Sequence, residues 1–185
     1  SSIERTIKKN LQRNMELVDY VCGEPRYGPK LIVFSEFCLT GVPESRSLES
    51  YLNFSVYLPG WVTEIIGERA KKYGVYICCN TFEKDDEWPN RSFNTSFIVG
   101  PSGDVILRYR KNNDTQTGVP CSTNPGEFYS AYVERYGPEA LFPVVDTEIG
   151  RLGCITCNDV RFAETARMLA LQGCEVILHP TAEGS

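Results

Sequence analysis

Histidine is almost missing from this sequence: His179 is the single imidazole in 185 residues. A Ser/His or Cys/His mechanism would have to use that one side chain, and a metal site would have to be built from thiolates and carboxylates. Excess positive charge is missing too, since 19 Lys and Arg face 24 Asp and Glu for a formal net charge of -5. The chain therefore has no electrostatic footprint for nucleic acid or for an anionic membrane surface. No apolar run approaches the roughly 20 residues of a membrane span, and the opening SSIERTIKKNLQRN lacks the apolar centre of a signal peptide. A cytoplasmic protein with a small-molecule substrate or a protein partner is the expectation these absences leave.

Cysteine is abundant instead, with eight residues, yet the ordinary apolar fraction of 42% removes the need for the disulfides that staple very small secreted domains. Cys38, Cys78, Cys79 and Cys174 sit in or beside apolar stretches, where cysteine is a small hydrophobe.

Apolar residues at Ile3, Ile7, Leu11, Met15, Val18 and Val21 or Cys22 recur at helical spacing, so the chain is expected to open with an amphipathic helix. Turn residues 23–29 lead to Leu31-Ile32-Val33-Phe34, a run suited to a strand buried on both faces, with Glu36 at its exit. A helix is expected over 61–73 and a strand from Val75 towards Phe82. Strands 93–99 and 105–110 then flank the turn Gly100-Pro101-Ser102-Gly103-Asp104, with Lys111 at the exit of the second. Residues 112–140 read as one long irregular loop, a functional lid or wall. Strands Phe142–Val145 and Arg151–Thr156 follow, with Cys157 at the exit, then a helix from Val160 to Leu171 and a strand Glu175–His179. This alternation predicts one α/β or layered α+β domain over residues 1–185. Its ends read as cut, because no strand precedes the first helix and the chain stops just after a strand.

Glu36, Lys111 and Cys157 each lie just past a predicted strand, where layered α/β folds gather site residues. If they meet, the thiolate is a nucleophile, the carboxylate replaces histidine as base, and the ammonium, with a backbone N–H after Cys157, stabilises an oxyanion. The ammonium and the N-terminus of the following helix are expected to lower the thiol pKa.

The segments LIVFSEFCLTG, LRYRKNN and GRLGCITCNDVRFAETARMLALQGCEVILHPTAEG resemble, in order, the three signature blocks of the nitrilase superfamily of carbon-nitrogen hydrolases. The resemblance implies a four-layer α-β-β-α sandwich, here incomplete at both ends, and a Glu36-Lys111-Cys157 triad working without metal or organic cofactor. It also implies a homodimer or higher homo-oligomer. A second glutamate that orients the lysine falls to Glu127 or Glu134, with Glu127 preferred after Pro125-Gly126. Ser35 and Ala163 stand where the family usually has proline, and Asn158 where an aromatic residue usually follows the cysteine. Cys157-Asn158-Asp159 is closer to the amidase and carbamoylase branches than to nitrilases proper, so a small amide or carbamoyl substrate is implied, with Asn158 near it.

Three rival readings stay open. Cys154-Ile155-Thr156-Cys157 is a CxxC of the thiol-disulfide type, although strand alternation would bury Cys154 and expose Cys157. Structural zinc lacks a second matching CxxC. A non-catalytic assembly module would keep the fold alone. Asp159 is placed to cap the helix that follows, Arg161, Glu164 and Arg167 to form a charged face, and Trp61 and Trp88 to pack.

Overall fold

The apolar stripe Ile7, Leu11, Met15 and Val18 winds into α1 (Ser2–Gly23), and Val62, Ile66 and Ala70 form the buried stripe of α3 (Trp61–Tyr73). Both stripes close on one face of a four-stranded sheet. The computed structural model describes residues 2–41, 47–113 and 122–182. The sheet has the order β1 (Leu31–Val33), β2 (Tyr76–Glu83), β3 (Phe93–Val99), β4 (Val105–Arg110), with β1 parallel to β2 and the other pairs antiparallel. Strand alternation sends Ile77, Cys79, Phe97 and Val99 to the helices, and Tyr76, Cys78, Ile98, Leu107 and Tyr109 to the opposite face.

That opposite face meets a second sheet, ordered β5 (Val144–Thr147), β6 (Gly150–Cys154), β7 (Val176–Leu178), which contributes Leu152, Cys154 and Leu178 to the shared core. Gly153 points the other way, and its missing Cβ lets Leu169 of α5 (Ala163–Leu171) lie against the backbone. The layers are thus helices, sheet, sheet, helix, the α-β-β-α sandwich expected from the sequence.

Two helical pieces depart from that expectation. α2 (Leu48–Phe54) is only seven residues long, and Ser47 Oγ caps it by accepting from Ser50 N at 3.2 Å. Within the stretch expected to be irregular, Pro125–Phe128 and Pro138–Leu141 form 3₁₀ turns around α4 (Tyr129–Tyr136). Tyr132 and Tyr136 lie one turn apart on α4 and fold over Arg110, while Trp88 packs at a tilt against Phe128 and donates to Tyr136 Oη at 3.1 Å. Aromatic packing, which Gly and Pro density obscured, decides this segment.

Arg110 is the anchor of that lobe. Its guanidinium forks onto buried Glu83 (Nε to Oε2 3.0 Å, Nη2 to Oε1 2.8 Å), reaches Asp85 at 2.6 Å, and stacks over Phe93 with 4.0 Å to the ring centre. Burial alone would weaken its charge, but the bonds to Glu83 and Asp85 outweigh that and hold its pKa further above the ordinary value. Among the described residues no helix is long and apolar enough to cross a membrane.

Candidate active site

Towards one end of the sandwich the layer between the sheets turns from apolar to polar. Cys78 pairs with Ile98, then Asn80 with Ser96, and Ser96 with Tyr109. The same face continues to Asn94, to Lys111 just past β4, and to Thr156 just past β6, whose Oγ1 meets Ser96 Oγ across the sheets at 2.8 Å.

Glu36 follows β1 and is 4% exposed. Its Oε1 accepts from Lys111 Nζ at 3.1 Å and from Asn94 Nδ2 at 2.8 Å. Lys111 is itself only 5% exposed. Its backbone N–H donates to Asn94 O at 2.8 Å, so Asn94 holds both members of the pair. Phe37, next to Glu36, lies in the left-handed region at φ 57° and is fixed there by its N–H donating to Asn80 Oδ1 at 2.9 Å.

Cys157 also lies in the left-handed region, at φ 46°. A non-glycine residue persists there when its surroundings over-determine it. Here its N–H donates to Pro180 O at 3.0 Å and its carbonyl meets His179 Nε2 at 2.9 Å, so His179 supports the turn. The thiol is half-buried within the electrostatic reach of Glu36 and Lys111, with Thr181 beside it. Asp159 ties this turn to the exit of β4. Its carboxylate accepts from Thr156 N at 3.0 Å, Tyr109 Oη at 2.7 Å and Asn113 N at 2.9 Å. Burial raises its pKa, and those same donors oppose the rise. Asp159→Ala strands the buried donors of Thr156 and Tyr109 and the half-buried Asn113 N–H, so the unfolding free energy in urea is expected to fall by about 3 kcal/mol. A loss below about 0.5 kcal/mol, the range of ordinary surface changes, would show that these bonds do not hold the turn.

The expected lowering of the thiol pKa is overturned. Burial pushes the Cys157 thiol up, and the negative charge of Glu36 pushes it further, against the smaller opposing effects of Thr181 and Lys111. Lys111 is ion-paired to Glu36, and no α-helix begins at Cys157: a 3₁₀ turn (Cys157–Arg161) intervenes before α5 at Ala163. The thiol is therefore protonated at neutral pH and needs a base. Alkylation of Cys157 by iodoacetamide is expected to keep accelerating past about pH 9, above the ordinary thiol midpoint. A plateau below about pH 7.5 would mean a pre-formed thiolate.

The other sequence expectations separate. Asn158 is 5% exposed, inside the turn that follows Cys157. Glu127 is exposed, with Oε1 accepting from Asn124 N at 2.9 Å and Oε2 facing Arg91 at 3.4 Å, and Glu134 is exposed on α4. The structure brings Glu36, Lys111 and Cys157 together and places both of these glutamates outside that cluster. Cys154 is fully buried against Cys78, so the CxxC does not present two accessible thiols. Cys78 and Cys79 are buried as expected, whereas Cys38 and Cys174 are only partly so. Among the described residues no group of three or more His, Cys, Asp or Glu side chains is placed to hold a metal ion.

The family model for carbon-nitrogen hydrolase matches residues 2–185. The chain belongs to the carbon-nitrogen hydrolase family. Among curated relatives, omega-amidase NIT2 of Danio rerio is 28% identical over 173 residues, 94% of this chain and 57% of the relative. The chain spans about half the length of the curated relatives it matches, between 57% and 43% for the first two. Among solved structures it superposes on a carbon-nitrogen hydrolase from Helicobacter pylori G27 with a TM-score of 0.74 at 22% identity, covering 97% of this chain and 56% of that one. It also superposes on Nit3 of Saccharomyces cerevisiae, a member of branch 10 of the nitrilase superfamily, with a TM-score of 0.72 at 20% identity, covering 97% and 60%. These structural likenesses establish the nitrilase fold.

Sequence reasoning passed over Asn80, Asn94 and Ser96, which lie inside two of the expected strands. Their signal was period two: Cys78 and Asn80 share one face of β2, and Asn94, Ser96 and Ile98 share one face of β3. A polar residue at alternate positions of a doubly covered strand needs a buried partner.

Proposed function

We propose that the protein hydrolyses the carbon-nitrogen bond of a small amide or carbamoyl compound through a thioester on Cys157. The observation that carries this reading is the clustering of the half-buried Cys157 thiol with the buried Glu36 carboxylate, whose Oε1 accepts from Lys111 and Asn94. Glu36 takes the thiol proton as sulfur attacks the carbonyl carbon. Lys111 and the backbone N–H after Cys157 stabilise the oxyanion. Collapse breaks the C–N bond while Glu36 returns the proton to the leaving nitrogen, releasing ammonia or an amine. Water, deprotonated by Glu36, then attacks the thioester, and the thiol regains its proton as the acid departs. The relative's name, omega-amidase, favours an amide over a nitrile.

Glu127 is the better candidate for a substrate-facing glutamate. It lines a cavity of about 460 Å³ with Tyr51, Arg91 and Ser92, and Ser92 lies two residues before Asn94. Glu134 lines a separate depression with Glu87 and Arg135. A homodimer or higher homo-oligomer belongs to the same proposal, supported by the exposed apolar side chains Phe162, Leu171, Val176 and Ile177. A cytoplasmic location is supported by the seven described cysteines, all free of disulfides.

The test is a screen of small amides, carbamoyl compounds and nitriles on the full-length protein, following ammonia and acid together. Equal amounts of both from an amide or a carbamoyl compound are expected. Turnover confined to nitriles, or ammonia without acid, contradicts the proposal.

A further inference from the structure

We infer that Asn80 is the positioning residue that sets all three members of this site at once, an inference that rests on the hydrolase reading above. Asn80 is fully buried in the middle of β2, and its side chain reaches three ways. Oδ1 accepts from Phe37 N at 2.9 Å, beside Glu36. Nδ2 donates to Asn94 Oδ1 at 2.7 Å and to Ser96 Oγ at 3.1 Å. Asn94 in turn grips Glu36 Oε1 and the backbone of Lys111, while Ser96 bonds Thr156, the residue before Cys157. One amide is therefore one bond from the Glu36 turn and two from Lys111 and from Thr156, the residue before Cys157.

The direction of these bonds is forced. Phe37 N–H can only donate, so the oxygen of Asn80 must face it and the NH₂ must face Asn94 and Ser96. Asn94 must then present its oxygen to Asn80 and its NH₂ to Glu36. With Lys111 donating to the same atom, Glu36 Oε1 is occupied by two donors, and Oε2 is left to exchange the proton with Cys157. Asn80→Asp reverses that logic without changing size. A carboxylate at residue 80 can still accept from Phe37 but draws the Asn94 NH₂ towards itself, turning the Asn94 oxygen on Glu36. The pair Lys111–Glu36 then loses one donor and gains a repulsive neighbour.

Asn80→Asp and Asn80→Ala are compared with wild type, Asn94→Ala and the double variant Asn80→Ala/Asn94→Ala in the full-length protein. The readouts are kcat and KM on an amide substrate and the rate of Cys157 alkylation by iodoacetamide. Misplacement of the base is expected to lower kcat about 10²-fold in both Asn80 variants, with KM held within about threefold because no substrate contact is removed. The double variant is expected to be no more than about threefold slower than Asn94→Ala, since both act on one chain of bonds. Ser96→Ala, a milder cut in the arm to Thr156, gives about a tenfold loss and serves if the Asn80 variants do not fold. Full kcat in a folded Asn80 or Ser96 variant, or fully additive losses in the double variant, overturns the inference. Alkylation separates it from the hydrolase reading: slowing in the variants supports the positioning role even if wild type releases no ammonia, and unchanged alkylation counts against it.

Discussion

Cys157→Ala is expected to cut turnover on an amide substrate by at least ~10⁴-fold, on the scale seen when a covalent nucleophile is removed, while leaving the fold in place. The substitution removes one sulfur from a half-buried position, and the turn does not depend on that sulfur. Its φ of 46° is held by the backbone bonds to Pro180 and His179, which alanine keeps. Asp159 still ties Thr156 to Tyr109 and Asn113. Stability is therefore expected to stay within about 1 kcal/mol of wild type, mostly from lost packing. Cys154 cannot take over: it is fully buried between the sheets against Cys78, and alternation along β6 keeps it there. Steady-state kinetics with a thermal melt of the same sample checks both halves. A variant that melts normally and retains a tenth or more of wild-type kcat would remove Cys157 from the mechanism.

Arg110→Met is expected to have the largest effect on stability, a loss of about 3–5 kcal/mol in urea unfolding, because it leaves the Glu83 carboxylate buried without its main partner. Glu83 is fully inaccessible and accepts from Thr95 Oγ1 at 2.6 Å as well as from Arg110. Arg108, partly exposed, reaches Glu83 Oε1 at 3.1 Å and covers only part of the lost charge. The damage spreads in two directions. α4 loses the cation under Tyr132 and Tyr136, and Lys111 follows Arg110 directly in the chain, so the base pair of the site shifts with it. Replacing both charges, Arg110→Met with Glu83→Leu, is expected to recover much of the loss, since the remaining cost of an isolated buried charge disappears. Equal stability of Arg110→Met and wild type would mean that α4 is held by its aromatic contacts alone.

Much of this architecture was legible because burial imposes a period on the sequence. The stripe of α1 and the hairpin of β3 and β4 carry it, and the hairpin limits 93–99 and 105–110 agree with the structure, whereas β1, expected to be buried on both faces, leaves Val33 43% exposed. The three reactive residues were legible by position, each at a strand exit, and by the signature blocks around them. What stayed hidden depends on distant partners. α4 is made stable by Trp88 and Arg110, which lie far from it in sequence. The raised thiol pKa follows first from burial of the sulfur and then from the negative charge of Glu36, which also holds Lys111, 75 residues away in sequence. Asn80 shows the same limit: its polarity was visible, but not the three directions in which it is satisfied. Residues 1, 42–46, 114–121 and 183–185 lie outside the described residues, including part of the stretch expected to form the wall of the site.

The central claim is that Cys157, served by Glu36, becomes acylated. Incubating the full-length protein with an activated ester, then mapping the adduct by intact mass and peptide mass spectrometry, reads that step directly. The account predicts one acyl group per chain on the peptide bearing Cys157, hydrolysed with time and absent in Cys157→Ala. Acylation on another residue with Cys157 unmodified, or a native Cys154–Cys157 disulfide, would contradict it.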